Sequence, residues 1–492
     1  MTTALGIPSR YAFFALAAMS VMMFSIDATI VAVALPSMMR DLGTSLALIG
    51  WTLTAYQLAQ TVMFPLAGKL ADNFGRTRVF LGCVVVFTLG SLLCGVAPNI
   101  YLLIVFRVVQ ALGGGGIMPS AIGIIAEEFP DTRPRMIGLF MSIFPLGGII
   151  GPNLGGFIVE HWSWRECFLV NIPLGALVVL ALMRRLRQAE QTDRRPLDFV
   201  GAGIFAAAIV ALLSALTFQG QDAGYWRTAP FWALLGVSAA ALAAFIWYER
   251  RAVDPVIDPR LVGRHPFLAV NLYNFCYGAC VWGFFSFIPY YAGLQFGMSA
   301  LESGAVLTPR SLAMMSTSIA SSFLLMRYGY RVPMIAGCLL TVATLLMLSR
   351  GWAGLELYGL QVGPFWLLGA QIALGGVGMG LSGPASNNAA LDLVPGRAAT
   401  VSGIRTFFRS SGGIIGTAVI VLVLELSPDR AAGLRQIFAV MGVLLIATIP
   451  LVMIIPDTGR DRALARRRVS PTGGAPRPSV GLAGPSTGGE AQ

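Results

Sequence analysis

The chain has 492 residues, 56% of them hydrophobic and only 12% charged, with 57 glycines and a net charge of +11. Globular domains run nearer roughly 25% charged and about 45–50% apolar residues, so a soluble enzyme or binding module is excluded. A bilayer-crossing helix needs about 20 mostly apolar residues, and this length accommodates about fourteen.

Apolar stretches at 11–36, 47–68, 79–97, 100–126, 135–159 and 166–183 predict six spans ahead of an arginine-rich segment, 184–197. Two more, 198–218 and 230–248, precede a second basic segment at 249–266. The last six lie at 267–293, 301–326, 333–349, 364–392, 406–424 and 436–455. The expected fold is an all-α polytopic membrane protein. Its parts are an N-terminal six-helix bundle (11–184), a linker carrying helices seven and eight (185–266), and a C-terminal six-helix bundle (267–455). A Pro/Gly/Ser-rich, basic, disordered tail (456–492) follows. Although Ala32-Val33-Ala34 imitates a cleavage site, the apolar run from Tyr11 is too long for a signal peptide and reads as a retained first span.

With the N-terminus inside, 25 of the 34 Lys and Arg fall in cytoplasmic segments. Arg40, Arg165, Arg227, Arg350, Arg430 and Arg435 lie outside, and Arg107, Arg310 and Arg409 lie within spans. This asymmetry follows the positive-inside rule, so both termini are expected in the cytoplasm. The basic excess then reports orientation in the bilayer, with no nucleic-acid partner. Four of the six cysteines (Cys83, Cys94, Cys276, Cys338) sit inside apolar spans, and no CxxC pair occurs, which argues against disulfides and a metal site.

Asp27 is the one carboxylate deep within a span. An Asp near a helix centre costs roughly 2.5–3.5 kcal/mol on insertion scales, and such groups usually face a cavity or a partner. Burial and a neighbouring Arg push a carboxylate's proton affinity in opposite directions, so alternating between those settings lets one group load and release a proton. A static ion pair, or a carboxylate that attracts cationic cargo, fits the same position. Arg107, which shares a helical face with Gln110, is the natural counter-charge, or else a structural cation bonding backbone carbonyls. Arg310, after Pro309, fits a place in the cavity lining or a packing role equally well, and Arg409 fits a side chain snorkelling to the interface.

Gly68, Asp72, Gly75, Arg76 and Arg78 form a tight turn after span two, readable as a conformational latch or as mere topology signals. A fainter echo, MRYGYR (326–331), follows span ten, with Met326 where Asp72 would be, so any latch there lacks its acid. Gly147, Gly151, Pro152, Gly155 and Gly156 predict a bent, tightly packed span five. Cargo contacts are expected from Tyr56, Gln57 and Gln60, from Gln110, and from Asn387 and Asn388. Asn271, Asn274 and Trp282 form a stripe with Gly278 at i, i+3, i+7 and i+11. Helix–helix hydrogen bonds explain all of these equally well.

Several blocks resemble the major facilitator superfamily, and within it the fourteen-span drug:proton antiporters. They are DATIVAVALP (27–36), GKLADNFGRTR (68–78), RVVQALGGGG (107–116), GGIIGPNLGG (147–156) and WSWRECFLVNIPLG (162–175). The resemblance implies that Asp27 is the proton-linked acid assisted by Arg107. It also implies that Asp72, Arg76 and Arg78 belong to a cytoplasmic latch, and that Gly151 and Pro152 limit leak. Ala111 departs from the Gly usual after the Gln.

The expected function is export of hydrophobic or amphipathic compounds across the cytoplasmic membrane in exchange for protons, by alternating access. No cofactor beyond the proton gradient is expected; the partners are a small amphipathic substrate, protons and the bilayer, and the chain acts as a monomer. Export of a lipid or a siderophore-like metabolite is the alternative. No Walker motif supports ATP-driven pumping. Nothing resembles a selectivity filter. Neither His161 nor His265 joins a carboxylate cluster of the kind a membrane-embedded transferase needs.

Overall fold

A computed structural model describes residues 9–186, 198–221, 224–252, 255, 257–285, 287–352, 354–357 and 360–457. The N-terminal bundle comprises α1 (Ser9–Asp41), α2 (Leu46–Phe74), α3 (Arg76–Gly95), α4 (Ile100–Glu128), α5 (Arg133–Met141), α6 (Phe144–His161), α7 (Glu166–Leu169) and α8 (Asn171–Leu186). A hairpin, α9 (Phe199–Gln221) and α10 (Ala229–Glu249), leads through α11 (Pro259–Val262) into the C-terminal bundle. There follow α12 (His265–Tyr277), α13 (Gly283–Phe285), α14 (Ile288–Phe296), α15 (Ala300–Ala305), α16 (Thr308–Tyr328) and α17 (Arg331–Ser349). The bundle ends with α18 (Pro364–Leu393), α19 (Ala398–Leu426), α20 (Arg430–Ile446) and α21 (Ile449–Ile454).

Eleven helical segments among the described residues are long and apolar enough to cross a membrane. The other three predicted spans are also helical: α2, the interrupted run α12 to α14, and the Ser/Thr-rich α16. Side-chain caps start several helices, Ser45 accepting from the Leu48 amide and Asn99 from the Leu102 amide. Gly75 (φ 93°) and Gly329 (φ 77°) end α2 and α16 at matching places, a backbone setting that glycine adopts without strain. One feature was unexpected: Leu355–Leu357 and Leu360–Val362 pair antiparallel between α17 and α18, Leu355 opposite Val362.

Span five is interrupted, but not where the sequence suggested. The break falls at Ser142–Ile143, between α5 and α6, whereas Pro152 sits exposed within an unbroken α6. Gly147, Gly151 and Gly155 form a stripe against α1. A Cβ on Gly147 would overlap Ser25, and one on Gly151 would overlap the Thr29 hydroxyl. Polar links cross the same contact: Ser25 Oγ donates to the Phe144 carbonyl (2.6 Å) and Thr29 Oγ1 to the Gly147 carbonyl (3.0 Å). Gly156 is not part of this stripe; a Cβ there meets nothing within 4 Å. Gly151→Ala should therefore lower the unfolding temperature and transport, by an overpacking cost of about 1–3 kcal/mol, while Gly156→Ala leaves both near wild type. Equal melting curves for the two variants would refute this packing assignment.

At the far end of α1, Asp41 holds the connection between α6 and α7 in place. Arg165 Nη1 lies 2.5 Å from Asp41 Oδ2, and the Trp164 indole donates to the same oxygen at 2.9 Å. The hydrogen bond from Arg165, then that from Trp164, keeps the Asp41 carboxyl below its usual range. A lowered folded-state value means that this contribution is complete above the unfolded-state value and fades as pH falls through the folded one. Asp41→Asn should thus flatten the fall in melting temperature between pH 5 and pH 3; a slope identical to wild type would exclude the linkage.

The hairpin lies along one seam between the bundles. On α9, Phe218 meets Trp51 of α2 at 5.2 Å between ring centres, and Phe205 meets Phe407 of α19 at 5.4 Å. The outer helix α10 packs on α9.

Candidate functional site

Asp27, in the middle of α1, is fully buried, and four other helices of the N-terminal bundle supply what surrounds it. Arg107 Nη1 on α4 contacts Asp27 Oδ2 at 2.9 Å. The other oxygen, Oδ1, accepts from Gln110 Nε2 (2.8 Å) and from Asn171 Nδ2 on α8 (3.1 Å). Gln110 Oε1 in turn accepts from Arg107 Nη1 (2.6 Å), which fixes the orientation of the Gln amide. Ser91 on α3 accepts from Gln110 Nε2 at 2.7 Å. Arg107 is anchored further by the Thr52 carbonyl on α2 (3.3 Å) and stacks over the Tyr56 ring, 3.9 Å from its centre.

Every partner of Asp27 is a donor, the complement of an ionised carboxylate. Within so dry a site the pair attracts far more strongly than at a surface, and removing one member leaves the other uncompensated. The structure thus brings Asp27, Arg107, Gln110 and Tyr56 into one cluster. Tyr56 and Gln110, expected to face cargo, belong to this cluster instead. Asn171, Ser91 and Thr52 were missed; a lone Asn in the apolar run 166–183 was the only available signal.

The turn at Gly75 joins the bundles. Asp72 Oδ1 accepts from Arg76 Nε (3.0 Å), and Asp72 Oδ2 accepts from the Thr400 amide of α19 (2.9 Å). Arg76 also donates to the carbonyls of Gly123 (3.0 Å) and Gly396 (2.9 Å). At Gly68 a Cβ would strike the Ala399 backbone, so this glycine permits close approach of α2 to α19. No described hydrogen bond involves Arg78. A second acid, Asp392 of α18, pairs with Arg133 of α5 and accepts from the Tyr330 hydroxyl (2.9 Å). The second half therefore does have an acid at this end, supplied by α18 rather than by the position of Met326.

The polar residues expected to line the cavity in the C-terminal half are mostly sealed within that bundle. Asn271 and Asn274 bond back to the carbonyls of Phe267 and Val270, and Asn388 to that of Pro384. A π-helical turn over Gly278–Trp282 breaks the predicted stripe, so Trp282 is 40% exposed while both Asn are buried. Its ring lies 6.3 Å from Phe144 of the other bundle. Gln57 is exposed on the α2 face that, two turns on, meets Gly403 through Phe64; Gln60 is half-buried. Arg405, assigned by sequence to a loop before span thirteen, lies inside α19 and is 3% exposed. It donates to Ser386 Oγ (3.0 Å), Asn387 Oδ1 (3.4 Å) and the Gly383 carbonyl (3.2 Å).

A family model described as Major Facilitator Superfamily matches residues 17–201 and again 197–417, one match for each half. The chain belongs to the major facilitator superfamily. It is 35% identical over 412 residues to the multidrug transporter protein MdtP of Bacillus subtilis, covering 82% of this chain and 73% of that one. With the multidrug resistance protein B homolog of Mycobacterium tuberculosis it shares 32% identity over 455 residues, 90% and 79% of the two chains. The fold is also that of the human organic anion transporter MFSD10, with a TM-score of 0.67 at 16% identity, covering 90% of this chain and all of the other. The transporter FucP in its outward conformation superposes with a TM-score of 0.60 at 15% identity, over 90% and 99% of the two chains. As a major facilitator protein the chain is a multi-pass membrane transporter, not an enzyme.

Proposed function

We propose that this transporter exports hydrophobic or amphipathic compounds in exchange for protons. It crosses the cytoplasmic membrane fourteen times, with both termini in the cytoplasm. The observation that carries the reading is the Asp27 cluster: the one carboxylate deep in the N-terminal bundle, ion-paired at 2.9 Å and shut away from solvent in this conformation. A guanidinium stays charged at every relevant pH, so Asp27 can take a proton only if Arg107 moves off or water enters. Both require the surrounding helices to shift, which ties protonation to a change of conformation.

Support for alternating access comes from the contacts between Asp72, Arg76 and Asp392 and the facing bundle, which hold one end of the interface closed. Its relatives named as multidrug transporters favour a broad apolar cargo. An inward proton supplies roughly 2.3 kcal/mol per 100 mV of membrane potential, in addition to the pH gradient. The test is efflux of a fluorescent amphiphile from proteoliposomes under an imposed pH gradient: acceleration that a protonophore abolishes is expected, and gradient-independent flux would refute coupling.

A further inference from the structure

The C-terminal bundle holds positive charge without a matching acid: Arg405 is buried and Arg409 half-buried. Arg405 and Arg409 stand one turn apart on the same face of α19, and neither forms an ion pair among the described residues. An unpaired buried charge is unfavourable, and ionisable groups at membrane depth usually mark a ligand or ion path. Arg405 is partly satisfied by Ser386, Asn387 and the Gly383 carbonyl, a pattern that a purely structural staple would also show. Arg409 is different. Its buried Nε has no hydrogen-bond partner, and its guanidinium lies near the rings of Tyr277 (5.6 Å) and Trp282 (5.2 Å).

Two further features turn this excess charge into a receptor. Asn387 is fully buried; its Oδ1 faces Arg405, which orients the amide and leaves Nδ2 as a donor with no partner. Trp282, beside Arg409, is part-exposed and approaches Phe144 of the N-terminal bundle, so Arg409 lies next to the space between the bundles. Two guanidiniums one turn apart and a spare amide donor, with an indole alongside, are the donor set that an anion attached to an apolar body would need.

We propose that Arg409, Arg405 and Asn387 bind the carboxylate or phosphate of an anionic amphiphile. This rests on the export reading and narrows its cargo: the compounds favoured carry an acidic head. A free amphipathic acid and an anionic lipid headgroup present the same chemistry to this site.

The probe is 11-(dansylamino)undecanoate, with its methyl ester as the neutral match, titrated against the purified full chain in dodecyl maltoside. Wild type should bind the acid at least about tenfold more tightly than the ester. Arg409→Gln should erase that preference while ester binding persists, and Arg409→Lys should restore part of it. Arg405→Gln removes three internal hydrogen bonds, so Arg409→Gln carries the test if that variant does not fold. Competition by lysophosphatidylglycerol but not lysophosphatidylcholine would assign the site to a lipid headgroup; absence of competition would assign it to a free acid. Equal affinity for acid and ester in wild type, or an acid preference that survives Arg409→Gln, overturns the proposal and leaves export intact. An Arg409-dependent preference for an acid that no pH gradient moves would leave the site standing and refute export.

Discussion

Asp27→Asn should reduce pH-gradient-driven efflux to the background of empty vesicles while the protein still inserts in the membrane. The substitution keeps the side chain's shape but removes the one carboxylate in the cluster. Its carbonyl can still accept from Gln110 and Asn171, the present partners of Oδ1. The amide nitrogen, however, would face Arg107 Nη1, setting donor against donor where a 2.9 Å ion pair now stands. Breaking such a buried pair costs about 3–5 kcal/mol, so a lower melting temperature is expected together with the loss of coupling. Proton release on adding cargo to detergent-purified protein separates the two effects. Wild type should release protons and the variant none, at temperatures where both are folded. Full coupled efflux by Asp27→Asn would remove this residue from the mechanism.

Removing both acids at the closed end, as Asp72→Asn with Asp392→Asn, should open that end without touching the Asp27 cluster. Asp72 receives the Thr400 amide and holds Arg76, which bonds Gly396; Asp392 holds Arg133 across the same interface. Hydrogen bonds to charged groups contribute about 1.5–3 kcal/mol each, so losing one acid should move the closed-to-open ratio by roughly ten- to a hundredfold. The buried Ser322 of α16 packs against Gly138 of α5 in this region and serves as a reporter once changed to Cys. Its labelling by an impermeant maleimide should rise at least about tenfold in the double variant. Unchanged labelling would show that the closed end is held by apolar packing instead.

What the amino-acid order revealed followed from contrast. A charge inside an apolar run stands out, so Asp27 and Arg107 were legible, as were the long helices themselves. Uncharged Asn171, Ser91 and Thr52 carry no such contrast, yet they complete the cluster. Arg405 was missed for the opposite reason. Its charge interrupts the apolar run, which in sequence begins at 406, whereas α19 begins at Ala398 and carries Arg405 into the bundle. The π-helical turn that redirects Trp282 leaves no trace in residue spacing, because one additional residue per turn resets the helical face. Arg133 and Asp392 are 259 positions apart, a pairing that single-sequence patterns do not encode.

The placement of the α9–α10 hairpin makes the two flanks of the molecule unequal toward lipid. Its aromatic side chains bridge α2 and α19, so that flank carries a gasket which any rocking of the bundles must slide beneath. The opposite flank, where α5 and α6 meet α16, has no helix laid over it among the described residues. In a bilayer that uncovered join would face acyl chains directly, so a lipophilic molecule dissolved in the membrane would meet a lopsided door frame, covered on one side and bare on the other.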